Sequence, residues 1–278
     1  MEQIEMFKPY LIPSMIIAIC SSQMVQANAT WAFNTSNCYT DCSGVNSNSY
    51  GNTQKFGTSS SNVNVSAFST TSDIAGKDAF ETANLDLYYG GLGVTNRDSD
   101  SGSPQHAIDN NGDTPHGDNG EVDVVKFSFN ENVSLQGAEI GWHSGDSDLT
   151  VLAHDGVGDK SLLGKTFAQL LQNGWNLIGH YSDLQNNVTE AINAGDYFSS
   201  DWLISAYTPE AGSPSTWSFG NDYFKLSKLI GEPEPNQPPN TAVPEPSSLL
   251  LLLIGLVWWG VNRKNTHRSV LGSELLPA

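Results

Sequence analysis

The sequence predicts a mainly β protein whose body is a jelly-roll-like β-sandwich with one short helix. Short runs in which apolar and polar residues alternate recur along the middle of the chain, separated by turns rich in Gly, Asn, Asp and Ser. Long Ala/Leu/Glu/Lys runs, which are typical of helical bundles, are absent from the sequence. An open mixed α+β domain is the alternative architecture.

The alternation predicts seven or eight strands. In EVDVVKFSF it places Val125, Phe127 and Phe129 on one side of a strand, because side chains of a strand point to opposite faces in turn. The candidate strands are 62–68, 85–89, 121–129, 133–142, 148–154, 175–181, 201–207 and 222–229.

One short helix is predicted in SLLGKTFAQLLQNG. Leu163, Phe167 and Leu170 recur at helical spacing, and Gly174 can end the helix. The same stretch contains Gly164-Lys165-Thr166, but a phosphate-binding loop would need glycine where Asp159 stands. The sequence therefore predicts no nucleotide site.

The charge balance limits the partners of the chain. It has 30 acidic and 12 basic residues and a net charge of −18. Such a chain repels the phosphates of nucleic acid and attracts cations, Ca²⁺ among them. No nucleic-acid partner is predicted.

Residues 1–29 have the pattern of a secretory signal peptide. An apolar run from Tyr10 to Cys20 precedes Ala27-Asn28-Ala29, a small-residue cleavage pattern. The acidic residues before Lys8 fit this pattern poorly, and a start at Met6 instead of Met1 would fit it better. Cleavage after Ala29 would leave the predicted body, residues 30–230, outside the inner membrane.

Two cysteines remain after such cleavage, Cys38 and Cys42. Two cysteines of an exported chain usually pair, so we predict a disulfide that closes a very short loop.

Three segments follow the body. Residues 231–246 contain six of the 13 prolines, which predicts a stiff, extended linker. Residues 247–261 are apolar and predict a short single transmembrane helix, with Trp258 and Trp259 suited to a membrane interface. Residues 262–278 form a basic tail for the cytoplasmic side, with Arg263 and Lys264 at its start.

The sequence VPEPSSLLLLLIGL followed by Arg263 and Lys264 resembles the PEP-CTERM sorting signal of Gram-negative bacteria. The motif residues are Val243, Pro244, Glu245 and Pro246. The resemblance implies an exosortase as processing partner, a transient stay in the inner membrane, and release to the cell surface or the exopolysaccharide matrix. The tail continues from 265 to 278, further than such signals usually do.

Phrases of the body, such as HAIDNNG and IGWHSGDSDLTVLAHDG, also resemble a family of exosortase-dependent surface proteins over roughly residues 85–225. This second resemblance implies the same destination and no particular activity.

An acidic loop provides the candidate metal ligands, since Ca²⁺ takes six to eight oxygen ligands. The loop fails the EF-hand pattern because Thr114 replaces the required glycine, and turn residues in a solvated loop are the alternative interpretation. The six candidate ligands are Asp109, Asn111, Asp113, Asp118, Glu121 and Asp123. Asp146 and Asp148 form a second, weaker pair, which we interpret as turn residues before a strand.

The sequence thus predicts an exported, non-enzymatic surface or matrix protein. The alternative is a carbohydrate-binding module, with Ca²⁺ as its cofactor if it has one, and a secreted hydrolase is favoured less. Five tryptophans could either fill the core or stack on sugars: Trp31, Trp142, Trp175, Trp202 and Trp217.

Overall fold

A computed structural model describes part of the chain. The described residues are 28–40, 49–57, 61–71, 78–97, 103–104, 106–111, 121–213, 216–235 and 254. The chain divides into two compact units, 1–234 and 235–278, and of the second unit only Pro235 and Ile254 are described.

The described part of the first unit is mainly β, as predicted, with one α-helix. Its strands form one branched antiparallel sheet. The strands are β1 Ala29–Ala32, β2 Cys38–Thr40, β3 Thr53–Gly57, β4 Asn62–Thr71, β5 Ala79–Thr82, β6 Asn84–Tyr88, β7 Gly91–Thr95, β8 Ile108–Asp109, β9 Asp123–His143, β10 Leu149–His154, β11 Trp175–Tyr181, β12 Thr189–Ala191, β13 Ser199–Ala206 and β14 Tyr223–Pro233, and the helix is α1 Phe167–Leu171.

The long strand β9 joins two halves of the sheet. Its first half lies between β4 and β13, with β10 and β11 beyond β13 and β3 and β2 beyond β4. Its second half lies between β12 and β14, and β14 also pairs with β1, β7 and β8. The change of partners falls at Asn130-Glu131-Asn132, which are exposed.

A single large core cluster takes buried residues from both halves. Val125, Phe127 and Phe129 belong to it, as the alternation predicts, and so do Leu226 and Leu229 of β14. Some intervening side chains of the first half are also buried, because α1 and its neighbouring loops cover part of the opposite face, whereas Lys126 and Ser128 are half-buried. Val124, Leu152 and Leu203 pack there with Phe167 and Leu170 of the helix.

Helix α1 is shorter than the sequence predicts. Thr166 caps it and accepts a hydrogen bond from the Gln169 amide, while the Gln169 side chain accepts one from the Thr166 amide. Leu163 lies before this cap and is exposed, so it is not part of the helical face. Gly174, beyond the helix, has a φ of +89°, a conformation that glycine adopts without strain.

Most predicted strands are present, but the structure also contains strands that the sequence did not predict, β5, β7, β8 and β12 among them. The stretches 121–129 and 133–142 are one strand, β9, and the polar segment 30–57 contributes β1, β2 and β3, which alternation did not predict. At the end of the body, Gly231 to Pro233 belong to β14, although the sequence assigns them to the linker.

The remaining end segments lie outside the described residues. These are the predicted signal peptide up to residue 27, the predicted sorting motif and the predicted basic cluster. Within the described part of the chain, no helix has both the length and the apolar character needed to cross a membrane.

Candidate functional site

Three carboxylates converge where β10 and β14 begin. Asp146 and Asp148 lie in the turn between β9 and β10, and Asp222 directly precedes β14. One carboxylate oxygen from each residue lies within 4.8 Å of one from each of the others. We call these three residues the acidic cluster.

Backbone hydrogen bonds fix the positions of the three residues. A short β-bridge joins Asp146 to Asp222, with the Tyr223 amide donating to the Asp146 carbonyl at 3.2 Å. The Asp148 amide donates to Asp222 Oδ1 at 2.7 Å. The Asp183 amide donates to Asp148 Oδ1 at 2.8 Å, which holds that carboxylate from the other side. The geometry of the cluster is therefore built into the sheet and its turns.

The acidic cluster carries negative charge that no basic side chain compensates. Asp222 is fully buried and Asp148 is 3 % exposed. Among the described residues, no Lys, Arg or His forms an ion pair with any member of the cluster. Burial raises the pKa of Asp222 to about 7 and the pKa of Asp148 to about 6, and repulsion from the neighbouring carboxylates adds to both shifts. Near neutral pH the ionised forms of these two carboxyls are therefore less favoured than those of exposed carboxyls.

Asn221 contacts the cluster through its side-chain nitrogen. Its Nδ2 lies 3.3 Å from Asp146 Oδ2. Its Oδ1 is buried and has no hydrogen-bond donor among the described residues. An oxygen in this state is suited to a cation, since Ca²⁺ accepts amide and carboxylate oxygens together.

The first residues of the predicted acidic loop lie beside the acidic cluster. Asp109 lies in β8 opposite Tyr223, and Asn110 Nδ2 donates to Asp222 Oδ2 at 2.5 Å. Asn111 Nδ2 donates to the Tyr223 hydroxyl. The start of the loop thus supports Asp222 from the side of β8.

Four of the six predicted ligands are described, and Asp109, Glu121 and Asp123 do not form a group that could hold a metal ion. Asp113 and Asp118 lie outside the described residues. Asp109, Glu121 and Asp123 are buried in or beside strands, so they are not the solvated turn residues that the alternative interpretation expects. The only group of three or more possible ligands in the described ranges is the acidic cluster, and none of the six belongs to it.

The tryptophans mostly fill the core. Trp31, Trp175 and Trp202 are at most 1 % exposed, whereas Trp142 and Trp217 are half-buried. Cys38 is disulfide-bonded, and Cys42 lies outside the described residues, so the pairing of these two cysteines stays a prediction.

No family model, curated protein or solved structure matches this chain. The proposals below therefore rest on the residues and the geometry of the chain itself.

Proposed function

We propose that this chain is an exported, non-enzymatic protein of the cell surface or exopolysaccharide matrix, which an exosortase sorts through its C-terminal signal. The observation that carries the proposal is the order of V-P-E-P at 243–246, the apolar segment 247–261, and Arg263 with Lys264. The signal-peptide pattern of residues 1–29 supports the same route, since it would deliver the body to the outside.

The body is proposed to be a jelly-roll-like β-sandwich. Supporting this, residues of the two halves that share β9 contribute to one core cluster. A strand that takes part in both halves is also a known way of turning the corner between two packed sheets.

The absence of enzymatic activity is part of the proposal. Among the histidines that the structure describes, His180 has an arrangement to test for catalysis, because its Nδ1 lies 2.8 Å from Thr150 Oγ1 and its Nε2 lies 2.8 Å from the Gly212 carbonyl oxygen. Thr150 is fully buried, however, so a substrate cannot reach its hydroxyl. The pair is better explained as a satisfied core contact, which makes a secreted hydrolase the least favoured function.

A carbohydrate-binding module, with Ca²⁺ as a cofactor, is the second candidate function. The acidic cluster favours the Ca²⁺ part of it, because its three carboxylates lie together without a basic partner among the described residues. Such a site would bind Ca²⁺ through Asp146, Asp148 and Asp222, and the ion would stabilise the turn that precedes β10.

Sorting is tested by fractionating cells that express the protein with and without the host exosortase, and by mass spectrometry of the mature C-terminus. We expect a surface or matrix form that lacks Trp258 and Trp259 only when the exosortase is present. Substituting Glu245→Ala within the motif should leave the unprocessed form in the inner membrane, whereas Glu234→Ala, outside the motif, should not. Recovery of the mature protein with both tryptophans would contradict the sorting tag and would indicate a permanent membrane anchor instead.

A further inference from the structure

A cavity of about 390 Å³ with a mixed polar and apolar lining opens beside the turn between β6 and β7, and none of the acidic cluster residues lines it. Its wall takes residues from the segment after β1, from this turn, from the second half of β9, from the loop before β12, and from β14. The residues that the argument uses are Asn34, Tyr89, Glu139, Asn187 and Lys228. The volume lies at the small end of the range for ligand pockets, which run from about 300 to 1,000 Å³.

The floor of the cavity is backbone held in close contact. A Cβ on Gly91 would lie 2.2 Å from the Leu226 carbonyl oxygen, and a Cβ on Gly141 would lie 2.4 Å from the Gly90 carbonyl oxygen. The turn between β6 and β7 therefore packs directly against β9 and β14, with no room for side chains between them. This packing fixes the backbone that directly follows Tyr89.

Tyr89 projects from this fixed turn and is completely exposed. An aromatic ring in water on a rigid turn contributes nothing to the core, but it offers a large flat apolar surface at little entropic cost to a ligand. Its hydroxyl adds one hydrogen-bond donor and acceptor. Such a ring stacks well on the face of a pyranose, where the C–H bonds are exposed.

The polar groups around the ring are suited to hydroxyl groups. Asn34 Oδ1 accepts from the Ser36 and Asn37 amides at 3.1 Å, which orients the side chain and leaves its Nδ2 without a partner in the described residues. The exposed side chain of Asn187 makes no hydrogen bond within the same residues, although its backbone amide is fixed by the Ile140 carbonyl at 2.7 Å. Both amide side chains are therefore available for hydrogen bonds to a ligand.

The charges of the cavity compensate each other. Lys228 Nζ donates to Glu139 Oε2 at 2.6 Å, and Thr189 Oγ1 donates to the same oxygen at 3.1 Å. The lining therefore has no net charge, while the whole chain carries −18. A polyanion is repelled at long range and finds no free cation in the cavity, so the lining favours an uncharged ligand.

We infer that this cavity binds a short stretch of neutral glycan, with one pyranose ring stacked on Tyr89 and its hydroxyls bonded by Asn34, Asn187 and the Glu139–Lys228 pair. The inference rests on the carbohydrate-binding candidate function and names its site and ligand class. It does not depend on the sorting of the chain.

The test is calorimetric titration of the full-length protein, in a detergent without a sugar headgroup, with hexasaccharides of glucose and xylose and with hexagalacturonate as an anionic probe. We expect a neutral hexasaccharide to bind and hexagalacturonate not to bind. Tyr89→Ala should weaken binding at least tenfold, Tyr89→Trp should retain it, and the double substitution Asn34→Ala/Asn187→Ala should weaken it severalfold. Tyr39→Ala, at another exposed tyrosine in β2, is the matched control and should bind as the wild type does.

The possible results distinguish a wrong binding site from a wrong function. Because the Tyr89 ring is fully exposed, Tyr89→Ala should melt within about 1 °C of the wild type, so that a loss of binding reports the contact and not unfolding. Unchanged binding by Tyr89→Ala and by the Asn34/Asn187 double variant would overturn the site and leave sugar binding in place. Preferential binding of hexagalacturonate would overturn the ligand class, and no binding by any of the three glycans would remove the carbohydrate-binding function together with its site.

Discussion

Ala29 and Gly231 are paired across β1 and β14, although about 200 residues separate them along the chain. The same pairing places Trp31 opposite Leu229, and both side chains belong to the large core cluster. The first strand of the described body is thus fastened to its last strand through a buried tryptophan. Signal-peptide cleavage after Ala29, as predicted, would leave Thr30 and its partner Ile230 as the first pair.

Trp31 is expected to be a main anchor of β1. It is 1 % exposed and meets Phe129 edge-on with ring centroids 4.8 Å apart. Trp31→Ala should lower the free energy of unfolding by about 3–5 kcal/mol, because it leaves a large cavity. Trp31→Phe should cost less, since the buried indole N–H has no acceptor among the described residues to lose. Urea denaturation measures both, with Tyr39→Ala as the exposed control; equal losses for the Ala and Phe variants would contradict this role.

Ca²⁺ should stabilise the protein through the acidic cluster. Saturating Ca²⁺ should raise the melting temperature by several degrees relative to a sample with chelator, because a ligand at 100 times its Kd adds about 2.7 kcal/mol. Asp148→Asn should abolish this rise, since it keeps the oxygen that accepts from Asp183 and removes the charge. Asp196→Asn is the matched control, because Asp196 is exposed and its φ of +49° suits asparagine. A rise that survives in Asp148→Asn would place the ion elsewhere.

The acidic cluster should also make stability depend on pH when no metal is present. The pKa values of Asp222 and Asp148 are raised to about 7 and about 6, so between pH 4 and 7 the folded state binds more protons than the unfolded state. Stability from these groups therefore falls as pH rises through this window. Asp148→Asn cannot lose its proton, so relative to the wild type it should gain about 1–2 kcal/mol between pH 5 and pH 8. Denaturation in chelator at the two pH values checks this; a stability difference that is the same at both would show that Asp148 titrates normally.

The close packing of the turn between β6 and β7 should make Gly91 intolerant of any side chain. Its φ is +118°, and a Cβ would meet the Leu226 carbonyl oxygen at 2.2 Å. Gly91→Ala should therefore cost at least about 2–3 kcal/mol more than Gly164→Ala, whose φ is also positive but whose Cβ would meet nothing within 4 Å. Chemical denaturation of both variants gives the comparison, and similar costs would mean that the turn can move away from β14.

Alternation predicts the strands in which every second side chain points into the large core cluster. Leu149, Val151 and Ala153 of β10 show this, since all three lie in one cluster. The early strands were missed because β2 has no fully buried residue and β1 only one, so their polar composition hides them. β9 was divided in two because Asn130-Glu131-Asn132 has the composition of a turn, whereas the structure continues the strand through it and changes its partners.

The acidic cluster was only half visible in the sequence. Asp146 and Asp148 stand out as a pair, but their third member is more than 70 residues away, in a short polar stretch before β14. No local pattern connects Asp222 with them, because the connection is made by the pairing of strands. A polar residue that directly precedes a core strand, such as Asp222 before Tyr223, is the signal that a search for partners could have used.

β14 pairs with β1, β7, β8 and β9, so its late position in the chain affects the order in which the sheet can form. β14 is the last of the described strands to be synthesised. Until it is present, the edges of β1, β7, β8 and β9 that pair with it lack this partner. Contacts that span so much of the chain are slow to form, and open strand edges invite pairing with other chains. A nascent chain that stops before Tyr223 therefore cannot close its described sheet, which is complete only with this final eleven-residue strand.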